Sequence, residues 1–301
     1  MSKIKKDIHK DIDPQIVVKQ QKNTKKTIFW VIKNIILFVL LQLFGQLLYA
    51  TCFTLTIPDA RQSMEIFQSI FASTTVLNQA YYFGHFFVLL YIIVKAIANA
   101  QANRELGKTT IDKFLTEIDY NPLKNIFQGF NYFTVGLVLQ SALTTLISLI
   151  TILVMGEDAS SIEIFFSVSP WSLIVIGICM PLAEELLFRG AILKKLIPIV
   201  GEKKANHIQA ISYAITHGLT AYSVSDYVMG IILGKMKIMA GSIMAPILAH
   251  IGANTLNAII YTFPNILSYK LFSIVYCIIL SYGAGVLLFL LFKSIWNNTK
   301  K

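Results

Sequence analysis

The first apolar stretch of this 301-residue chain, IFWVIKNIILFVLLQLFGQLLYATCFTL, covers residues 28–55 and contains one charged side chain, Lys33. A helix needs about 20 apolar residues to cross a bilayer. The whole composition agrees, since 55% of the residues are hydrophobic and only 14% are charged. One soluble core could not bury that much apolar surface, so the sequence predicts an integral membrane protein.

Further apolar runs predict about eight spans, and the predicted fold class is an all-α, polytopic transmembrane helix bundle. The runs lie at about residues 28–55, 78–99, 130–154, 165–187, 205–221, 223–239, 241–263 and 270–293. Seven spans stays open, because the fifth and sixth runs are short and poorly separated. The predicted organisation is a basic tail at 1–27 ahead of a multi-span membrane domain at 28–296.

Charge predicts the orientation of the bundle. The tail at 1–27 carries eight Lys against three Asp, and a basic segment beside a spanning helix is typical of the cytoplasmic side. Lysines also follow the second, fourth and sixth predicted spans, whereas the opposite connections are poor in Lys and Arg. We therefore expect a multi-pass protein of the cell membrane with both termini in the cytoplasm, in contact with the lipid bilayer and with no nucleic-acid partner.

The longest internal polar segment covers residues 101–128. We expect a solvated cytoplasmic loop there. A surface helix before Pro122 is the alternative.

The stretch PLAEELLFRGAIL, residues 181–193, places Glu184, Glu185 and Arg189 among apolar side chains. Ionisable groups at membrane depth are costly, and they usually face the bundle interior, where they are paired or functional. Glu185 stands four residues before Arg189, the favourable order for a salt bridge on a helix. Glu184 points about 100° away from Glu185. We therefore expect Glu185 to neutralise Arg189 and Glu184 to be left free.

Two later helices each present a polar pair at the same spacing. Tyr213 and His217 lie in ISYAITHGL, and His250 and Asn254 lie in PILAHIGANTLNAII, so each pair shares one helix face. Taken singly, each residue could be a satisfied core histidine or a packing asparagine. Counted inward from the cytoplasmic lysines, however, Glu184 and both histidines lie about 15 to 20 Å deep. One site between helices near mid-membrane is therefore predicted.

A carboxylate, two imidazoles and an amide suit the activation of water for amide hydrolysis. Glu184 and one histidine would take the water proton, while the other histidine and Asn254 would donate to the developing oxyanion. The sequence has no GxSxG motif for a serine nucleophile. Zinc is the alternative, since Glu and His are common ligands, but HExxH is absent. We expect neither a metal nor another cofactor.

The same residues resemble the motifs of a known family. EELLFR resembles the EExxxR motif of the CPBP family, the CAAX proteases and bacteriocin-processing enzymes also called Abi, and HIGAN resembles its HxxxN motif. YAITH stands in the place of FxxxH, with Tyr213 where Phe is usual. The resemblance covers about residues 165–262. Within it, the three motifs stand in the order and at the spacing that are usual for the family. The N-terminal third has no matching motif.

The resemblance implies a metal-independent intramembrane glutamic protease whose substrate is a peptide or a membrane protein. It implies that Glu184 and His217 activate water and that His250 and Asn254 form the oxyanion site. Glu185, Arg189 and Tyr213 would support them.

The Lys-, Ile- and Asn-rich composition is typical of bacteria, so we do not expect prenylated CAAX substrates. The resemblance then implies bacteriocin self-immunity or peptide-signal maturation. Two alternatives stay open. The first is a non-catalytic immunity or scaffold protein that binds a toxin or a sensor. The second is a transporter with Glu184 as its proton site, although the inverted repeats typical of many transporters are not visible.

Overall fold

The computed structural model describes residues 14–102, 110–155, 173–218 and 223–262, together with 270, 274–275, 277–279, 281–283 and 285. Throughout these ranges the regular structure is helical. In the N-terminal half the α-helices are α1 (Pro14–Leu55), α2 (Met64–Phe71), α3 (Thr74–Ala102), α4 (Thr110–Glu117) and α5 (Ile126–Met155). In the C-terminal half they are α6 (Met180–Glu185), α7 (Lys194–Val200), α8 (Glu202–Thr216), α9 (Ser223–Ala240) and α10 (Met244–Thr262).

Three of the described helices are long and apolar enough to cross a membrane. The spanning segments are Thr24–Leu55 in α1, Gln79–Asn99 in α3 and Ile126–Ile147 in α5. They coincide with the first three predicted spans, so an all-helical membrane protein is confirmed. The total of eight spans stays a prediction, and most of the eighth predicted span, 270–293, lies outside the described residues.

Two helices lie partly or wholly in segments that the sequence predicted to be polar. Helix α1 begins at Pro14, so part of the predicted polar tail continues the first spanning helix. Within 101–128, helix α4 forms at Thr110–Glu117, so the expectation of a loop is wrong for these residues. The reason lies in the spacing of the apolar residues Ile111, Phe114, Leu115 and Ile118, which repeat along one helix face.

The EELLFR motif lies where an α-helix changes into a π-helix. A π-helical segment at Val175–Cys179 leads into α6, and a second one at Leu186–Leu193 leads into α7. The predicted fourth span ended at 187, but the helical stretch continues to Val200. π-Helical turns are rare and are often found at functional sites. The second segment is almost fully buried, so the motif lies in the centre of the protein rather than at its lipid surface.

Three helix pairs surround this central stretch: α1 with α3, α5 with α10, and α8 with α9. The α5–α10 pair is very close at two glycines. A Cβ atom at Gly136 would overlap the carbonyl oxygen of Ala249, and one at Gly252 would overlap the carbonyl oxygen of Phe133. Small residues allow such close approach of helices in membranes. The close pairing fixes the position of α10, which carries one half of the predicted site.

Asp119, which follows α4, forms two ion pairs at the end of the bundle that is predicted to be cytoplasmic. It accepts hydrogen bonds from Lys194 at 2.8 Å and Lys237 at 2.7 Å. Partial burial alone would raise the pKa of Asp119, but the two ammonium groups outweigh it and lower this pKa below its ordinary value. The ion pairs join the start of α7 and the last turn of α9 to the connection between α4 and α5.

Candidate active site

The site is centred on the carboxylate of Glu184, whose residue is only 2% exposed on α6. Three imidazoles from three other helical elements face it. His217, the residue that ends α8, has Nε2 3.5 Å from Glu184 Oε1, and His250 of α10 has Nε2 3.7 Å from Oε2. His85 of α3 has Nε2 3.8 Å from Oε1. As the sequence predicted, the described partners of Glu184 do not include Arg189; they are these three histidines.

Backbone carbonyls fix the orientation of two of these rings. His217 Nδ1 lies 3.0 Å from the carbonyl oxygen of Tyr213, and His85 Nδ1 lies 3.0 Å from that of Tyr81. A carbonyl oxygen only accepts, so Nδ1 donates its proton in both cases. The Nε2 edge of each ring is thereby directed at Glu184.

Glu185 contacts both the guanidinium of Arg189 and the imidazole of His250. Its Oε1 accepts a hydrogen bond from Arg189 Nη1 at 2.6 Å, and both residues are 0% exposed. The same oxygen lies 2.8 Å from His250 Nδ1, and Arg189 Nη2 also donates to the carbonyl of Gly230 at 3.3 Å. The salt bridge predicted from the spacing is present, and the two adjacent acids face different partners. Glu185 has the additional function of orienting His250.

Tyr213 and Asn254 complete the polar surroundings. Arg189 Cζ lies over the Tyr213 ring, 4.7 Å from the centroid of that ring. The Tyr213 Oη lies 3.5 Å from His250 Nε2. The Tyr213 hydroxyl thus reaches the site, as its replacement of the usual Phe suggested. Asn254 Nδ2 donates to the carbonyl of Ile176 at 3.1 Å, which leaves its second N–H for another acceptor.

These groups open onto a cavity of about 190 Å³. Glu184, His217, His250, Asn254 and Tyr213 all line it. Its remaining described wall is partly apolar and partly polar: Tyr81, Gln140, Ile176, Met180, Asp226 and Met229. The arrangement places a carboxylate, two imidazoles and an amide around one space, and such groups can accept a proton from water and donate to an oxyanion.

Sequence reasoning missed three of the residues at the site. His85 lies in YYFGHFF within the second predicted span, and an ionisable residue at membrane depth was the signal that could have identified it. Asp226 lies in the first turn of α9 and gives the same signal. Gln140 of α5 lies in an apolar run without any motif, so only the structure places it at the cavity.

The positions of the acidic and imidazole side chains bear on the zinc alternative, since a metal ion needs several ligands close together. Among the residues that the structure describes, no group of three or more His, Cys, Asp or Glu side chains could hold one. Metal-independent hydrolysis stays a prediction.

A comparison with known protein families finds a match in the C-terminal part of the chain. Residues 166–256 match the family model described as Rce1-like, type II CAAX prenyl endopeptidase Rce1-like. The match confirms the resemblance that the three motifs indicated, and its range includes all seven of the predicted site residues. It supports a membrane-bound peptidase. No curated protein and no solved structure matches the chain.

Proposed function

We propose that this protein is an intramembrane endopeptidase that hydrolyses a peptide bond with water activated by Glu184 and His217. The observation that supports this most directly is the buried Glu184 carboxylate at the wall of the cavity, with His217 Nε2 3.5 Å away. The family match supports peptidase activity independently, because it covers residues 166–256 and its description names an endopeptidase.

The proposed reaction needs no covalent intermediate. A water in the cavity attacks the carbonyl carbon of the substrate while Glu184, assisted by His217, accepts one of its protons. The second N–H of Asn254 and the imidazole of His250 stabilise the oxyanion. The proton taken by Glu184 then passes to the leaving nitrogen, so the products are a free carboxylic acid and a free amine. Glu185 and Arg189 support this step by holding His250.

The proposed substrate is a peptide or the end of a membrane-bound protein. The matched family is named for CAAX prenyl endopeptidases, whereas the Lys-, Ile- and Asn-rich composition is typical of bacteria. We therefore assign the protein to bacteriocin self-immunity or to the maturation of a peptide signal.

The experiment that tests the function compares peptides released from cells with the wild-type protein, without it, and with Glu184→Gln. We expect a defined set of cleavage products that depends on the wild-type protein and is lost in Glu184→Gln at equal abundance. Purified protein should keep cleaving after strong chelation. Cleavage that chelation abolishes and zinc restores would favour a metal mechanism, and full immunity conferred by Glu184→Gln would favour a non-catalytic toxin-binding protein.

The proposed orientation has both termini in the cytoplasm. It is supported by the lysines that follow alternate predicted spans. Reporter fusions at the two ends test it, and an external location of either end would contradict the depth estimate for the site.

A further inference from the structure

His85 lies at the catalytic carboxylate but belongs to a different part of the chain. It is on α3, outside the matched range of 166–256, and is only 2% exposed. Its Nε2 lies 3.8 Å from Glu184 Oε1, the same oxygen that His217 faces. His85 also stands ten residues before Lys95, just as Glu184 stands ten residues before Lys194. The two residues thus meet at one depth from helices that cross side by side.

The His85 ring is held firmly in this position. Its Nδ1 donates to the carbonyl of Tyr81 at 3.0 Å, and the Tyr81 ring packs against it with centroids 4.4 Å apart. The Phe38 ring, from α1, packs nearly perpendicular to it, with 6.5 Å between the centroids. Helices α1 and α3 therefore form a rigid support that directs Nε2 at Glu184.

His85 lies behind the carboxylate rather than in the cavity. Glu184, His217 and His250 line the cavity, and His85 is not among the described residues that do so. It can therefore act on the reaction only through Glu184. The 3.8 Å separation between Nε2 and Oε1 is longer than a hydrogen bond. Because Nδ1 donates to Tyr81, Nε2 attracts the carboxylate only when the ring carries a second proton. A buried carboxylate oxygen is costly without polar neighbours.

We infer that His85 is a positioning residue for Glu184. Its imidazole holds Oε1 between itself and His217, so the carboxylate keeps one rotamer with the same face toward the cavity. The N-terminal helices thereby take part in a site whose motifs all lie in 166–256. This inference rests on the proposed function.

The test measures kcat and KM of purified protein with an internally quenched peptide that spans a cleavage site identified from the Glu184-dependent products released from cells. His85→Phe keeps a planar ring but removes both nitrogens. We expect kcat to fall by about 10- to 100-fold with KM within about twofold, since small misplacement of a catalytic group has effects of this size. His85→Gln, whose amide N–H can still face Glu184, should recover part of the loss.

A matched control is His207→Phe. His207 is exposed on α8, where its Nδ1 pairs with Tyr227 Oη at 2.7 Å. Loss of this imidazole should leave kcat unchanged. If His85→Phe fails to accumulate, His85→Asn replaces it, because its shorter amide cannot reach Glu184 and should turn over more slowly than His85→Gln.

The outcomes separate the two proposals. If no peptide is cleaved in a Glu184-dependent way, the proposed function fails and this inference fails with it. If cleavage depends on Glu184 but His85→Phe and His85→Gln both keep the wild-type kcat, only the positioning role is overturned. A rise in KM at constant kcat would also overturn it, because that result would indicate substrate contact instead.

Discussion

The hairpin of α1 and α3 and the segment 166–256 contribute to the same carboxylate in different ways. The segment supplies Glu184, His217 and His250 within motifs of fixed spacing. The hairpin supplies His85 from an apolar run with no motif, yet its Nε2 approaches Glu184 almost as closely as that of His250 does, 3.8 Å against 3.7 Å. A motif thus identifies residues that lie close together on one helix. The neighbours of a buried carboxylate can also come from another helix that packs at the same depth, and no motif marks them.

The largest expected effect is the loss of turnover in Glu184→Gln, in the motif segment. An amide cannot accept the water proton, and general-base catalysis contributes roughly 10²- to 10⁴-fold to a rate. The variant should stay folded and abundant, since the change keeps the volume of the side chain. Turnover of the quenched peptide measures the effect. If His85→Phe lost as much turnover as Glu184→Gln, the distinction between Glu184 as general base and His85 as its positioning residue would fail.

The next largest expected effect is a loss of stability, and it also concerns a residue of the segment 166–256. Glu185→Gln leaves Arg189, which is 0% exposed, without its carboxylate partner. Removal of one partner of a buried ion pair costs about 3 to 5 kcal/mol. Thermal unfolding in detergent should show the loss, and Glu185→Gln with Arg189→Met should recover part of it.

Glu184, next to Glu185 in the sequence, provides the control for the Glu185–Arg189 ion pair. Arg189→Met should not restore activity to Glu184→Gln, because Glu184 has no contact with the guanidinium among its described partners. Equal instability of Glu184→Gln and Glu185→Gln would show that the two adjacent acids share one structural role.

A smaller effect is expected in the hairpin at Gly84→Ala. The added Cβ would lie 2.6 Å from the carbonyl oxygen of Gln42, so α1 and α3 must move apart beside His85. Overpacking of this kind costs about 1 to 3 kcal/mol. We expect lower thermal stability together with lower turnover.

Gly177→Ala is the matched control, because its Cβ would lie at an ordinary 3.7 Å from Ala258 Cβ. If Gly84→Ala lost stability but kept full turnover, the hairpin would hold the fold without positioning Glu184.

The smallest expected effect concerns Asp119, at the end of the bundle. Lys194 and Lys237 hold the pKa of Asp119 below its ordinary value despite partial burial. A carboxyl whose pKa is lower in the folded state stabilises the protein above its unfolded pKa, about 3.9. This stabilisation is lost as the pH falls through the folded pKa.

Wild-type protein should therefore lose stability below about pH 4, by about 1 kcal/mol more than Asp119→Asn. Thermal unfolding of both proteins across this pH range measures the difference. Parallel pH profiles would show that the two lysines do not stabilise the fold through Asp119.

The sequence alone predicted the features that depend on local spacing. Apolar runs predicted a helical membrane protein, and three span-length helices confirm it. The four-residue spacing of Glu185 and Arg189 predicted their salt bridge, which forms at 2.6 Å. These predictions succeed because a helix fixes the direction and height of each side chain relative to its close neighbours.

Only the tertiary structure decided which distant residues meet. His85 and Glu184 are 99 positions apart, and neither the spacing nor a motif relates them. The π-helical turns after Glu185 and the second bond of its carboxylate, to His250, were likewise not predictable from local pattern. In lipid, burial of apolar surface does not select one helix partner over another. Close packing and polar contacts between particular helices select it, and these depend on the complete three-dimensional arrangement.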